Sequence, residues 1–165
     1  MAQSVNGLIA REDYREDFLS DENWRVFIGF AQEFGCFIVS RKTYEIVSNW
    51  KGYSFESLNA KKIIVSRKIH APHSDNYYPA TSPIDALKKA RTLGFKQVLL
   101  VGGGTLNSAF LKKGLVDEII LDIEPFALGK GIPVFSEEGF ENKLKLLQVK
   151  KLKGGIVQLR YKVIK

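Results

Sequence analysis

Apolar residues occur along this chain in two kinds of block, and the spacing inside each block predicts its structure. Short continuous runs, from Cys36 to Val39, from Ile63 to Val65 and from Gln97 to Val101, read as buried strands of a parallel sheet. Glu118 to Glu124 is a further strand, closed off by Pro125. Between these runs the apolar positions recur every three or four residues. Trp24, Phe27, Ile28, Ala31 and Phe34 form one such stripe. Ser20 is its expected cap, Asp21 and Glu22 suit the first turn, and Gly35 stops it. Ser82 and Pro83 open a helix that runs to Leu93, with Gly94 beyond it. Leu106, Ala109 and Phe110 mark another, starting at Thr105 and ending in Lys112 and Lys113 before Gly114. A shorter helix is expected from about Thr43.

The remaining segments are less periodic. Gln3 to Ala10 reads as a short strand interrupted by the turn-prone pair Asn6-Gly7. Arg11 to Leu19 is a charged loop, and Gly52 to Ala60 a loop or part-helix. His70 to Ala80 is irregular, with a brief strand at Tyr77-Tyr78. Gly129-Lys130-Gly131 is a turn, and Lys145 to Lys150 and Ile156 to Val163 suit a terminal pair of strands around Gly154-Gly155. Strands alternate with helices and then occur alone. The order predicts a single α/β domain whose sheet is mostly parallel, with an antiparallel end.

Composition narrows the function classes. At 165 residues, 45% hydrophobic and 26% charged, the chain is an ordinary globular domain with room for a core. The single cysteine, Cys36, has no internal disulfide partner and is expected to be a buried thiol. His70 and His73 have no cysteines at zinc spacing, so no metal site is expected. No window has the length and apolarity of a membrane span, and the N-terminus has no signal-like pattern. We therefore expect a cytoplasmic protein that does not engage membranes. A net charge of +7 implies attraction to something anionic, either nucleic acid or a phosphorylated small molecule, although the scattered lysines Lys143, Lys145, Lys150, Lys151 and Lys153 read as a cationic solubility coat. Most aromatic residues lie in apolar runs or helical stripes rather than on an exposed basic platform, which speaks against nucleic acid.

The chemistry gathers at strand ends. Two apolar strands finish in nearly the same way, FIVSRK ending at Lys42 and IIVSRK ending at Lys68, and a third finishes in Gly102-Gly103-Gly104-Thr105. If the strands are parallel, these tips share the edge at which open α/β sheets bind ligands. Glycines admit a ligand against the backbone, and the helix that follows aims its N–H groups at an anion. Arg41, Lys42, Arg67 and Lys68, with hydroxyls from Ser40, Thr43 and Ser66, suit further phosphates. A dinucleotide with a 2′-phosphate matches that layout, so NADPH is expected over NADH. A P-loop pattern is absent. The Gly102-x-Gly104 start of a Rossmann fingerprint meets Asn107 where the third glycine belongs, and Asp122 lies inside a strand. We reject that reading.

These residues resemble a known family. The segment from Gly102 to Phe135, GGGTLNSAFLKKGLVDEIILDIEPFALGKGIPVF, is similar to the C-terminal reductase domain of the riboflavin-pathway deaminase/reductase, which has the dihydrofolate reductase-like fold. SVNGLIA resembles that family's opening strand, FIVSRKTYE a cofactor-binding segment of dihydrofolate reductase, and GIVQLRYKV the closing strand. The resemblance implies helices on both faces of the sheet and NADPH-dependent hydride transfer to a pyrimidine- or pteridine-like heterocycle. The alternatives are dihydrofolate reductase-type activity or a catalytically silent nucleotide-binding homodimer. The resemblance places Gly102, Gly103, Gly104 and Thr105 at the pyrophosphate, and Arg41, Lys42, Thr43, Ser66 and Arg67 at the adenosine phosphates; Ser40 and Leu106 are also expected to bind the cofactor. Ala10 would lie beside the nicotinamide. The family usually has an acidic residue in place of Asn6 and of Val101, and a His-x-Leu-Arg signature that the Trp24 to Phe34 helix lacks. The cofactor is therefore better supported than the substrate. Asp21, at the start of the helix that lines the substrate pocket in the family, is the candidate proton donor, or else an acid placed for the helix dipole. Trp24 stacks on substrate or belongs to the core. Asn6 contacts substrate or serves its turn. Relatives are commonly homodimers.

Overall fold

The computed structural model describes residues 1–50, 52, 54–68, 76–136 and 139–165. His70 and His73 lie outside the described residues. In chain order the elements begin with β1 (Ala2–Gln3), β2 (Leu8–Ala10), α1 (Asp21–Phe34), β3 (Cys36–Ser40) and α2 (Arg41–Ser48). Next come β4 (Lys61–Val65), β5 (Tyr77–Ala80), α3 (Pro83–Thr92), β6 (Leu99–Leu100) and α4 (Gly104–Lys112). The chain finishes with β7 (Glu118–Ile123), β8 (Ile132–Pro133), β9 (Lys143–Lys151) and β10 (Val157–Ile164). Single 3-10 turns occur at Phe55–Ser57 and Lys153–Gly155. These elements form two compact units, one of residues 26–106 and one of residues 1–25 with 107–165.

The 26–106 unit is built on a four-stranded sheet in the order β5-β4-β3-β6, parallel throughout. Its middle strands are apolar because they are covered: Phe37, Ile38, Val39, Ile63 and Ile64 are all buried. Phe55 adds to this core, with its ring 5.1 Å from Phe37 and 5.6 Å from Phe27. Lys62 is the exception among these strand residues. Only 1% exposed, it donates from Nζ to the carbonyls of Leu58 and Ala60, each at 3.2 Å. Burial pushes its ammonium pKa down, and Glu56 works against that shift.

Helix starts follow their caps. Ser82 Oγ accepts from Asp85 N at 3.2 Å, with Pro83 in the first turn. Ser40 Oγ likewise accepts from Thr43 N, and α2 therefore begins at Arg41, two residues before the expected start. The α4 helix begins at Gly104 rather than Thr105. At the far ends, Gly35 and Gly94 take positive φ angles of 65° and 89°, as helix-terminating glycines do.

In the other unit β1 runs parallel to β7, while β7, β10 and β9 are antiparallel neighbours. The expected antiparallel C-terminal pair is present, with β9 two residues longer at its start than the sequence implied. The Gln3 to Ala10 segment divides at Asn6-Gly7. β1 pairs with β7, and β2 pairs antiparallel with β8. Val134 N donates to Gly7 O at 2.9 Å, and Gly131 lies so close to β2 that a Cβ there would sit 2.2 Å from Ala10 O. Leu111, Ile119 and Val163 form the buried centre of this unit, with Leu121, Phe135, Phe140 and Tyr161 packed around them.

Candidate functional site

The three basic or glycine-rich tips singled out in the sequence lie along one edge. Because β3, β4 and β6 are parallel and in register, Ser40 is level with Val65, and Ile38 with Leu100. The residues that follow, Ser66-Arg67 after β4 and Gly102-Gly103-Gly104 after β6, therefore emerge beside Ser40-Arg41. Hydrogen bonds tie the tips together. Ser40 N donates to Gly102 O at 2.7 Å, and Ser40 Oγ accepts from Gly103 N at 3.4 Å. The same hydroxyl donates to Thr43 Oγ1 at 3.0 Å. Gly102 takes φ 92°, a conformation open to glycine, and the Gly102–Gly103 peptide is cis. Leu106 N donates to Gly103 O at 2.9 Å, which starts the first turn of α4.

Around this turn stand the cations. Arg41 is 39% exposed along its side chain and lies 3.5 Å from Glu45 one turn along α2. Lys42, Arg67 and Lys68 are exposed. Lys68 N donates to Ser66 Oγ at 3.2 Å, so the second tip carries its own tight turn. A fourth tip, missed in the sequence, belongs to the same edge. Ser66 N donates to Ala80 O at 2.9 Å, and Thr81 and Ser82 follow at the start of α3. The signal was weak because the strand carries a proline, Pro79. Backbone at a glycine turn, hydroxyls and guanidinium groups form a donor set suited to a phosphorylated nucleotide.

The other predicted residues belong to the unit of residues 1–25 and 107–165. Asn6 is committed to its own fold. Its Oδ1 accepts from Ser4 Oγ at 2.9 Å and Leu128 N at 3.1 Å, and its Nδ2 donates to Leu128 O at 2.6 Å. Ala10 is buried, with its carbonyl against Gly131. Asp21 is exposed at the first position of α1, and Trp24 is half-buried one turn on.

Ser20 departs from expectation. Its hydroxyl makes no capping bond and is buried without a partner, while its carbonyl accepts from Asn23 N at 3.0 Å. Its amide is drawn instead to Glu124, donating to Oε1 at 2.7 Å, and Asn23 Nδ2 donates to the same oxygen. Glu124 and Asn23 are both buried. Another carboxyl in the preceding loop, Glu16, is pushed up to about 8 by burial, so it holds a proton at neutral pH. None of Glu16, Asn23 and Glu124 stood out in the sequence, since a buried carboxyl and an exposed one look alike in a residue pattern.

Among the described residues no group of three histidine, cysteine or acidic side chains could hold a metal ion. Among the described residues no helix is long and apolar enough to cross a membrane. The Cys36 thiol is fully buried, and burial pushes its pKa up to about 11.

Comparison with known proteins places this geometry. The RibD C-terminal domain family matches residues 1–158. The chain is 31% identical over 170 residues to the uncharacterized protein YwjB of Bacillus subtilis, covering 98% of this chain and 94% of that protein. Its fold matches a solved structure from Shewanella sp. PV-4, a protein provisionally assigned to riboflavin biosynthesis, with a TM-score of 0.82 at 18% identity. That match covers 100% of this chain and 97% of the other. It also matches RibD of Acinetobacter baumannii, with a TM-score of 0.81 at 19% identity, covering 99% of this chain and 56% of that one.

Proposed function

This chain belongs to the RibD C-terminal domain family, and on that premise we propose that it is an NADPH-dependent reductase of a pyrimidine- or pteridine-like heterocycle. The family implies a reductase, and the α/β fold is the dihydrofolate reductase-like one. The observation that carries the cofactor is the single edge on which Ser40-Arg41, Ser66-Arg67 and the Gly102–Gly104 turn emerge together.

In this reading Gly102, Gly103, Gly104 and Thr105 receive the pyrophosphate on bare backbone and on the N-terminus of α4, with Leu106 continuing the turn. Arg41, Lys42, Thr43, Ser40, Ser66 and Arg67 hold the adenosine phosphates. The guanidinium groups suit a 2′-phosphate because they pair with it in a fork. Ser40 is a positioning residue as much as a ligand, since its hydroxyl fastens the glycine turn to the start of α2. NADPH, when bound, supplies the hydride. By the resemblance, Ala10 would lie beside the nicotinamide. Asp21 donates or relays the proton that the reduced heterocycle requires. Trp24 offers an aromatic face to the substrate ring. Asn6 is read as contacting substrate or serving its turn, and its hydrogen bonds to Leu128 support the turn role.

We propose further that the protein acts as a homodimer in the cytoplasm. The dimer is supported by exposed apolar side chains on β9, among them Leu146 at 51% and Val149 at 58%. The reaction is tested by following NADPH absorbance with the phosphoribosylaminopyrimidine of riboflavin synthesis and with dihydrofolate. We expect substrate-dependent consumption with the pyrimidine, reduced at least tenfold in Asp21→Asn. Consumption with neither compound overturns the catalytic reading.

A further inference from the structure

Lys62 stands where a covered parallel sheet ordinarily has an apolar residue. An ammonium withdrawn from water is costly unless its N–H groups are met, and a leucine would fill the same space without that cost. What Lys62 gains in return is specific. Its Nζ donates to Leu58 O and Ala60 O, and both carbonyls belong to the stretch that joins the Phe55–Ser57 turn to β4. A buried cation spent on fastening one surface turn is a feature to be explained.

The turn is wound on itself. Ser54 Oγ accepts from Glu56 N at 3.2 Å, Leu58 N donates to Phe55 O at 3.2 Å, and Ala60 N donates to Leu58 O at 2.9 Å. Held by Lys62, it presents two side chains in fixed places. Phe55 enters the core beside Phe37, and Glu56, on the surface, accepts from the Tyr44 hydroxyl. Tyr44 is a buried residue of α2, its ring stacked 6.3 Å from Phe55 and edge-on to Tyr77 at 5.2 Å. A buried phenol needs a partner for its hydroxyl, and here a turn fastened to β4 supplies it. Strand β4 thus reaches α2 through Lys62, the turn, Glu56 and Tyr44. Tyr44 is one turn on from Arg41, so its anchor and the Ser40 cap hold the first turn of α2 from either end.

We infer that Lys62 and Glu56 are positioning residues of the nucleotide edge: acting through Tyr44, they hold the first turn of α2 at the angle from which Arg41 and Lys42 meet a 2′-phosphate. The inference rests on the NADPH reading for the identity of that anion. Charge-assisted forks reward exact placement, and such placement comes from the residues behind the ligating ones. The glycine turn is fastened differently, to Ser40 at the end of β3. Binding of the pyrophosphate, which NADPH and NADH share, is therefore independent of Tyr44. Loss of Lys62 or Glu56 weakens NADPH and spares NADH.

The test is calorimetric titration of NADPH and NADH into the purified full chain and four variants. Glu56→Ala and Tyr44→Phe each remove the bond between turn and helix, and Lys62→Met keeps the bulk of the lysine without its N–H groups. Glu56→Gln retains an oxygen to accept from Tyr44. We expect the first three to weaken NADPH about fivefold or more, with NADH within about twofold of the wild type. Glu56→Gln should restore wild-type NADPH binding. A role confined to stability would lower the melting temperature and leave the ratio of the two affinities untouched. Glu56 is exposed, so its variants remain informative if Lys62→Met does not fold. Folded variants that keep the wild-type ratio, variants that lose both nucleotides alike, or a Glu56→Gln protein that behaves as Glu56→Ala overturn the inference. In each of these cases a wild type that prefers NADPH leaves the cofactor reading standing. A wild type that binds neither nucleotide, or both equally, overturns the cofactor reading and the inference with it.

Discussion

Glu16 and Glu124 lie in the same unit and solve the problem of burial differently. Glu124 is met by two donors, the Ser20 amide and the Asn23 side chain. Glu16 is held up to about 8 by burial alone. A carboxyl whose pKa rises on folding binds its proton more tightly in the folded state. Its stabilising contribution is complete below about 4.5 and is lost as the pH climbs through about 8. The melting temperature of the wild type should therefore fall between these limits relative to Glu16→Gln, which cannot titrate. Parallel melting curves for the two proteins across that range would contradict the assignment. Neither residue was legible beforehand. Glu16 sits in a run of charges, Arg11 to Asp17, and Glu124 closes an apolar strand, and periodicity does not report which carboxyls tertiary structure covers.

At the level of elements more was legible, because strands and helices of this length carry their own period. The helices α1 and α3 begin and end where their polar starts and terminal glycines place them. The two discrepancies, α2 and α4, are each early by one or two residues, and for α2 the Ser40 hydroxyl explains the shift. Strand β9 carries a less visible feature. Its register on β10 slips between Arg160 and Tyr161, so that Tyr161 faces Leu146 while Arg160 faces Gln148. The extra residue, Leu147, is a bulge, and it keeps Leu144, Leu146 and Val149 on one face opposite Val163, Tyr161 and Leu159. Without it Val149 would turn to the face of Arg160 and Lys162. Val163 is buried on that face, yet Leu144, Leu146 and Val149 are exposed. If this face joins two copies, the wild type sediments as a dimer, and Leu146→Lys with Val149→Lys sediments as a monomer of unchanged melting behaviour. A monomeric wild type, or a double variant that still dimerises, would exclude β9 as the contact.

For the molecule as a whole, a net charge of +7 predicts an anion and does not say where it binds. The location came from repetition: two nearly identical strand ends and a glycine turn make a site only if the strands run parallel. Their parallel register brings Ser40, Ser66 and Gly102 to one edge. The positions expected to touch substrate were harder to read, because polar residues such as Asn6 serve turns as readily as ligands, and here Leu128 takes up its side chain. The central claim is that these tips hold NADPH and read its 2′-phosphate. Charge-assisted hydrogen bonds are worth about 1.5–3 kcal/mol each, and about 1.4 kcal/mol is tenfold in affinity. The most direct measurement is titration of NADPH and NADH into the wild type and into the Arg41→Ala, Arg67→Ala double variant. The account predicts that the wild type prefers NADPH by at least tenfold and that the double variant binds both nucleotides alike. Equal affinities in the wild type, or a preference that survives in the variant, would contradict it.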